Sequence, residues 1–129
     1  MQRILCIDGD EGFRRAVSEQ LTREGFAVTA VASGAQGLSA VAAGAFDLIL
    51  LDMHPAEQDG LKTYLVLRTH LATKHTPIIL VTSTAPQGYW EVLPSDTDGP
   101  CFVMGRVNEE SVFLARMTQL LAREITSSD

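Results

Sequence analysis

Leu48-Ile49-Leu50-Leu51-Asp52-Met53-His54-Pro55-Ala56-Glu57-Gln58-Asp59-Gly60 is the stretch whose reading decides the fold. An unbroken apolar run of this length suits a strand buried on both faces. Here the run ends on a carboxylate and passes into a loop rich in turn residues. That delivers a charge to the carboxyl edge of a sheet, where open α/β folds bind ligands and do chemistry. A second acidic group follows the first apolar run, as Arg3-Ile4-Leu5-Cys6-Ile7 leads into Asp8-Gly9-Asp10-Glu11. Two strand ends that carry acids imply one acidic pocket.

Working outward, apolar strand-like runs alternate with segments of helical period, which predicts βαβ units and a parallel sheet. Strands are expected at Arg3 to Ile7, Ala27 to Val31, Leu48 to Leu51, Ile78 to Thr82 and Cys101 to Met104. Phe13, Ala16, Val17, Gln20 and Leu21 recur at helical spacing, and Gly25 is placed to end that helix. Ser33 can cap a second helix that carries Leu38, Val41 and Ala42 and stops at Gly44. Leu61, Tyr64, Leu65, Arg68 and Leu71 give a third. Asn108 can cap a last helix, whose apolar face includes Val112, Phe113, Met117, Leu120 and Leu121.

The rhythm breaks between Thr84 and Pro100. A helix should join strands four and five, but Pro86, Gly88, Pro94, Gly99 and Pro100 leave only Gln87 to Leu93 for it. A short helix or an irregular loop is expected there. Residues 1–125 read as one domain, and 126–129 as a tail or the start of a linker.

A chain of 129 residues buries roughly two thirds of its unfolded surface and needs no disulfide or structural metal to fold. The formal charge of −6, with no basic run, argues against nucleic acid or an anionic membrane as partner. No apolar run approaches a membrane span. Asp8 and Asp10 interrupt what would be the core of a signal peptide, so a cytoplasmic location is expected. Cys6 and Cys101 sit inside apolar runs and read as buried thiols. His54, His70 and His75 share no metal-ligand spacing. Tyr89 and Trp90 are expected to cover the sheet.

The acidic turn after strand one, the run Asp47 to Asp52, the pair Asp59-Gly60 and the run Pro77 to Thr82 together resemble the receiver domain of two-component response regulators. The resemblance spans about Arg3 to Arg123. It implies a flavodoxin-like, CheY-like three-layer α/β sandwich with a five-stranded parallel sheet in the order 2-1-3-4-5. It also implies signal transduction by phosphorelay in bacteria. A histidine kinase's phosphoryl group would pass to Asp52, making the chain a phosphoprotein rather than an enzyme. Asp8 and Asp52 would hold Mg²⁺ with the backbone carbonyl of His54. Thr82 would contact the phosphoryl oxygens, and Phe102 would be the aromatic that swings inward with it.

The match is incomplete. Gly9 stands where a second metal-binding acid is usual, and Asp10, one residue further on, is a further candidate ligand. Gly105 stands in place of the lysine and Arg106 in place of the proline after it. Weak Mg²⁺ binding is therefore expected, because this ion can be held by one or two carboxylates plus waters. Loss of the lysine predicts a rate lower by about 10²–10³. The resulting expectation is a degenerate receiver that acts through protein partners with weak or no phosphorylation. Those partners would be a histidine kinase or other signalling protein, and an output domain or second copy meeting 84–106 and the last helix.

Three alternatives carry other expectations. A fully phosphorylatable receiver would tolerate both glycines. A haloacid-dehalogenase-like phosphatase would use Asp8 as nucleophile and Asp10 as acid/base, but leaves Asp52 without a role. A flavin binder is disfavoured, since Asp8 to Glu11 would repel a phosphate. The bland readings are plain too: Asp10 and Glu11 favour a helix start, Asp8-Gly9 is a common turn, and Phe102 is core.

Overall fold

Four parallel strands alternate with helices through the first two thirds of the chain, as the apolar runs require. The structure, a computed structural model, describes residues 2–52, 57–82, 89–92 and 101–105, and for 57–61, 82, 89–92 and 101–105 only the course of the backbone. The elements are β1 (Arg3–Ile7), α1 (Glu11–Arg23), β2 (Ala27–Val31), α2 (Gly34–Ala43), β3 (Leu48–Asp52), α3 (Glu57–Thr69), β4 (Ile78–Thr82), β5 (Tyr89–Val92) and β6 (Cys101–Gly105). The sheet order is β2-β1-β3-β4-β6-β5. Pairing is parallel from β2 to β6, in the order expected, with β6 as the anticipated fifth strand.

The segment expected to form a short fourth helix or loop contains a strand instead. Tyr89–Val92 pairs antiparallel with β6, Trp90 opposite Val103, and makes the sheet six-stranded. The physical reason lies in its composition. Proline and glycine on both sides leave too few residues to nucleate a helix, and Tyr89-Trp90-Glu91-Val92 is rich in types that favour a pleated edge. The helix expected after Asn108, the tail at 126–129, His54 and Arg106 lie outside the described residues.

Strand alternation splits the core into two layers. Ile4, Cys6, Leu48, Leu50, Ile79 and Val81 pack with Val17 and Leu21 of α1 on one face. Leu5, Ile7, Ile49, Leu51 and Ile78 pack with Val41 of α2 and Leu67 of α3 on the other. This is why β1 and β3 read as continuous apolar runs: both faces are covered.

Helix ends are specified locally. Asp10 caps α1, its carboxylate accepting from the Gly12 and Phe13 amides. Gly25, at φ +96°, closes α1 in the left-handed conformation, with Phe26 N–H donating to Leu21 O and Gly25 N–H to Thr22 O. Arg68, only 6 % exposed, ties α3 to the following turn through hydrogen bonds from Nη1 to the carbonyls of Thr73, Lys74 and Thr76.

Gly37 sets how closely α2 approaches β1. A Cβ there would lie 2.9 Å from Ile7 Cγ1, and Ile7 is itself buried. Gly37→Val is therefore expected to lower the unfolding free energy by roughly 2–3 kcal/mol through overpacking. Gly12→Ala, whose Cβ meets only Asp10 Oδ1 at an ordinary 3.5 Å, should be neutral or stabilising by up to about 1 kcal/mol. Urea titration of both variants reads the difference, and equal midpoints would refute the close approach.

Candidate functional site

The register brings the predicted acids to one edge. Ile7 of β1 pairs with Leu51 of β3, so Asp8 and Asp52 follow at neighbouring strand ends. Asp52 in turn pairs with Val81 of β4, so Thr82 lies one residue beyond, at that strand's end. Thr82 pairs with Gly105, the last residue of β6. Asp8, just after β1, thus lies in one row with Asp52, Thr82 and Gly105, the last residues of β3, β4 and β6. Phe102 sits near the start of β6, paired with Ile79, three residues from that edge.

Asp8 is buried, at 3 % exposure, while Asp52 is half-buried. The turn after β1 is held in several ways. Asp8 N–H donates to Val31 O at 3.0 Å, and Asp8 Oδ1 accepts from Asp10 N–H at 2.9 Å. Arg14, in the first turns of α1, donates from Nη1 to the Asp8 carbonyl oxygen at 2.9 Å. Nothing in the sequence reading singled out Arg14, which counted among the scattered basic residues. Its signal was position, since it lies one helical turn beyond the cap residue Asp10.

Asp10 turns Oδ1 toward the helix, 3.0 Å from Gly12 N and 3.3 Å from Phe13 N. Asp10→Ala is expected to cost about 1 kcal/mol of stability as a lost cap and to leave Mg²⁺ affinity unchanged. Thermal unfolding with and without Mg²⁺ checks both. A large loss of Mg²⁺ affinity would make Asp10 a ligand after all.

Gly9 requires no special backbone. Among the described residues only Gly25 has a positive φ, and a Cβ on Gly9 would meet only Ala32 O, at 3.9 Å. The missing acid is thus a missing side chain in a turn that has room for one. Two carboxylates at adjacent strand ends suit a hard divalent cation completed by water. Among the described residues no group of three or more His, Cys, Asp or Glu comes together to hold a metal. His70 Nδ1 accepts from Ala72 N–H at 3.1 Å in the turn after α3.

The sequence profile of the response regulator receiver domain matches residues 4–93. The chain belongs to that family. Response regulator receivers are signalling modules of two-component systems. This receiver is 35 % identical over 80 residues to the transcriptional regulatory protein YkoG of Bacillus subtilis, covering 62 % of this chain and 34 % of that protein. It is 36 % identical over 81 residues to the transcriptional activator PfeR of Pseudomonas aeruginosa, covering 63 % of this chain and 26 % of that protein. The chain therefore spans about a third or less of these curated relatives.

Among solved structures, the receiver domain of a Pseudomonas aeruginosa sensor histidine kinase, with magnesium coordinated in its active-site cleft, aligns with a TM-score of 0.75 at 23 % identity. That alignment covers 97 % of this chain and 98 % of the other. A phosphorylated cyanobacterial phytochrome response regulator aligns with a TM-score of 0.79 at 14 % identity, covering 99 % and 96 %. At such identities the likeness establishes the CheY-like fold.

No helix among the described residues of this receiver is long and apolar enough to cross a membrane.

Proposed function

We propose that this receiver acts in phosphorelay signalling through an impaired acceptor site at Asp52, chiefly by contact with protein partners. The observation that carries the reading is the row of Asp8, Asp52, Thr82 and Gly105 along one edge of the sheet. On this reading Asp52 is the acceptor, and Gly9 and Gly105 stand in place of two of its supporting groups. Asp8 and Asp52 would bind Mg²⁺, with His54 O as a third donor. The bound ion would offset the charge of an incoming phosphoryl group.

The chemistry asked of the chain is modest. An Asp52 oxygen attacks phosphorus as the bond from phosphorus to the donor's histidine nitrogen breaks. The electron pair leaves with that nitrogen, which then takes a proton. Asp8 holds the cation side of the pocket, and the Thr82 hydroxyl donates to a phosphoryl oxygen. Phe102 repacks as Thr82 moves. With Gly105 at the end of β6, no lysine from that position draws on the developing charge.

A histidine kinase or another signalling protein is the proposed upstream partner. One chain of a solved complex between the histidine kinase ThkA and the response regulator TrrA shares the fold, with a TM-score of 0.68. The greater length of the regulator relatives supports an output domain as the downstream contact, and a second copy is the other candidate, either one meeting 84–106 and the last helix. The proposed receiver unit is 1–125, with 126–129 as tail or linker, working in the cytoplasm. The phosphatase alternative is less favoured, because it leaves Asp52 without a role.

Incubation with Mg²⁺ and acetyl phosphate, read by intact mass, tests the proposal. Slow, partial addition of one phosphoryl group is expected, and Asp52→Asn should abolish it while leaving binding of an identified partner little changed. Rapid, complete addition would make the site fully competent. Addition that survives in Asp52→Asn would move the acceptor elsewhere.

A further inference from the structure

A groove of about 380 Å³ opens between the start of α2 and the middle of α3. It is not part of the acidic edge, since neither Asp8 nor Asp52 lines it. Its polar end is built from the first turn of α2. There Ser33 Oγ caps the helix by accepting from Gln36 N–H at 3.2 Å, and Gln36 Oε1 reaches back to accept from Ala32 N–H at 2.8 Å. Gly37 N–H donates to Ser33 O. The amides of Gly34 and Ala35, the first two of the helix, have no acceptor among the described residues.

A second, independent feature points into the same place. Thr63 of α3 is 93 % buried, being 7 % exposed, yet its hydroxyl makes no hydrogen bond among the described residues. A buried polar group is normally partnered, and leaving it unmet costs desolvation. That hydroxyl faces Gly34, where a Cβ would strike it. Beside it Lys62 is exposed and forms no ion pair among the described residues. Two helix-start amides, one unsatisfied hydroxyl and one ammonium therefore belong to residues that line the same groove, at the positive end of the α2 dipole. The remaining walls are apolar, formed by Ala35, Leu38 and Val66.

We propose that this groove binds a small organic phosphate. Gly34 N–H, Ala35 N–H, the Thr63 hydroxyl and the Lys62 ammonium hold the phosphate, and Ala35, Leu38 and Val66 pack against the organic body. Gly34 matters because any side chain there would collide with the Thr63 hydroxyl and displace it. Burial of the Thr63 hydroxyl matters because a phosphate oxygen supplies the acceptor it lacks. The body matters because a bare ion would leave the apolar walls unused. This site is independent of phosphoryl acceptance at Asp52, so either can fail alone.

The test is an amide-resolved NMR titration of the whole chain in EDTA, which keeps divalent cations from drawing phosphate to Asp8 and Asp52. Phenyl phosphate, phenol and inorganic phosphate are the probes. Phenyl phosphate should give saturable shifts at Gly34 and Ala35, at about fivefold or more lower concentration than inorganic phosphate, and phenol should give none. Lys62→Gln and Thr63→Val should each weaken phenyl phosphate by about fivefold or more. Lys62 is exposed, so Lys62→Gln keeps the test decisive if Thr63→Val disturbs packing. Unchanged binding in Lys62→Gln overturns the proposal. So does equal binding of inorganic phosphate and phenyl phosphate, which means an adventitious ion only. So do shifts confined to the Asp8 and Asp52 edge.

Discussion

Gly105→Lys is expected to raise the rate at which Asp52 accepts a phosphoryl group from acetyl phosphate by about 10²–10³. Gly105 closes β6 and pairs with Thr82 of β4, whose neighbour Val81 pairs with Asp52 of β3. Two strand spacings separate β6 from β3, roughly 10 Å. The four-carbon stem of a lysine spans most of that gap, and its ammonium is a compact charge that needs no fixed fork geometry. Placed there, it meets negative charge as it develops on the transferred group. Such a contact lowers the barrier instead of merely tightening the ground state. Gly105→Met is the control for length without charge and should leave the rate near the parent value. Time courses of phosphoryl addition with Mg²⁺ present, in both variants and in each combined with Asp52→Asn, decide the matter. An equal rise in Gly105→Met would assign the effect to packing of β6. No rise in Gly105→Lys would mean that the end of β6 does not look onto Asp52.

Much of this arrangement was legible because the sheet is buried on both faces. Ile4 to Ile7, Leu48 to Leu51 and Ile78 to Val81 are apolar without alternation, as strands between two helical layers must be. The acids that end two of these runs then had to sit at the carboxyl edge. The caps were legible for the same local reason: Ser33 and Gly25 act within a few residues of themselves. The strand Tyr89–Val92 was not legible as such, because its pairing with β6 is non-local while the surrounding prolines and glycines speak only of interruption. Asp10 was ambiguous in principle. A helix cap and a metal ligand use the same carboxylate, and the Mg²⁺ affinity of Asp10→Ala is what separates the two roles. The meeting of Thr63 with Gly34 could not be read at all, since it depends on how closely α3 lies against α2.

Gly9→Asp should lower the Kd for Mg²⁺ by about 10- to 100-fold, equivalent to about 1.4–2.7 kcal/mol. The gross attraction of a carboxylate for a divalent ion at contact distance is larger than this. Part of it is cancelled by dehydration of the ion and by repulsion from Asp8 and Asp52. The structure removes the usual objection to replacing a glycine. Its φ is not in the left-handed region, and the nearest atom to a new Cβ is Ala32 O at 3.9 Å, an ordinary contact. The variant should therefore fold, though with lower stability when no cation is present, because three carboxylates then crowd one edge. Mg²⁺ should restore that stability by mass action, so the rise in Tm between EDTA and excess Mg²⁺ ought to be larger in Gly9→Asp than in the parent. Calorimetric titration gives the affinity, and thermal unfolding gives the linked stability. A folded variant whose affinity and Mg²⁺-dependent Tm both match the parent would place the cation away from Asp8. The acidic edge would then be only a pair of strand ends.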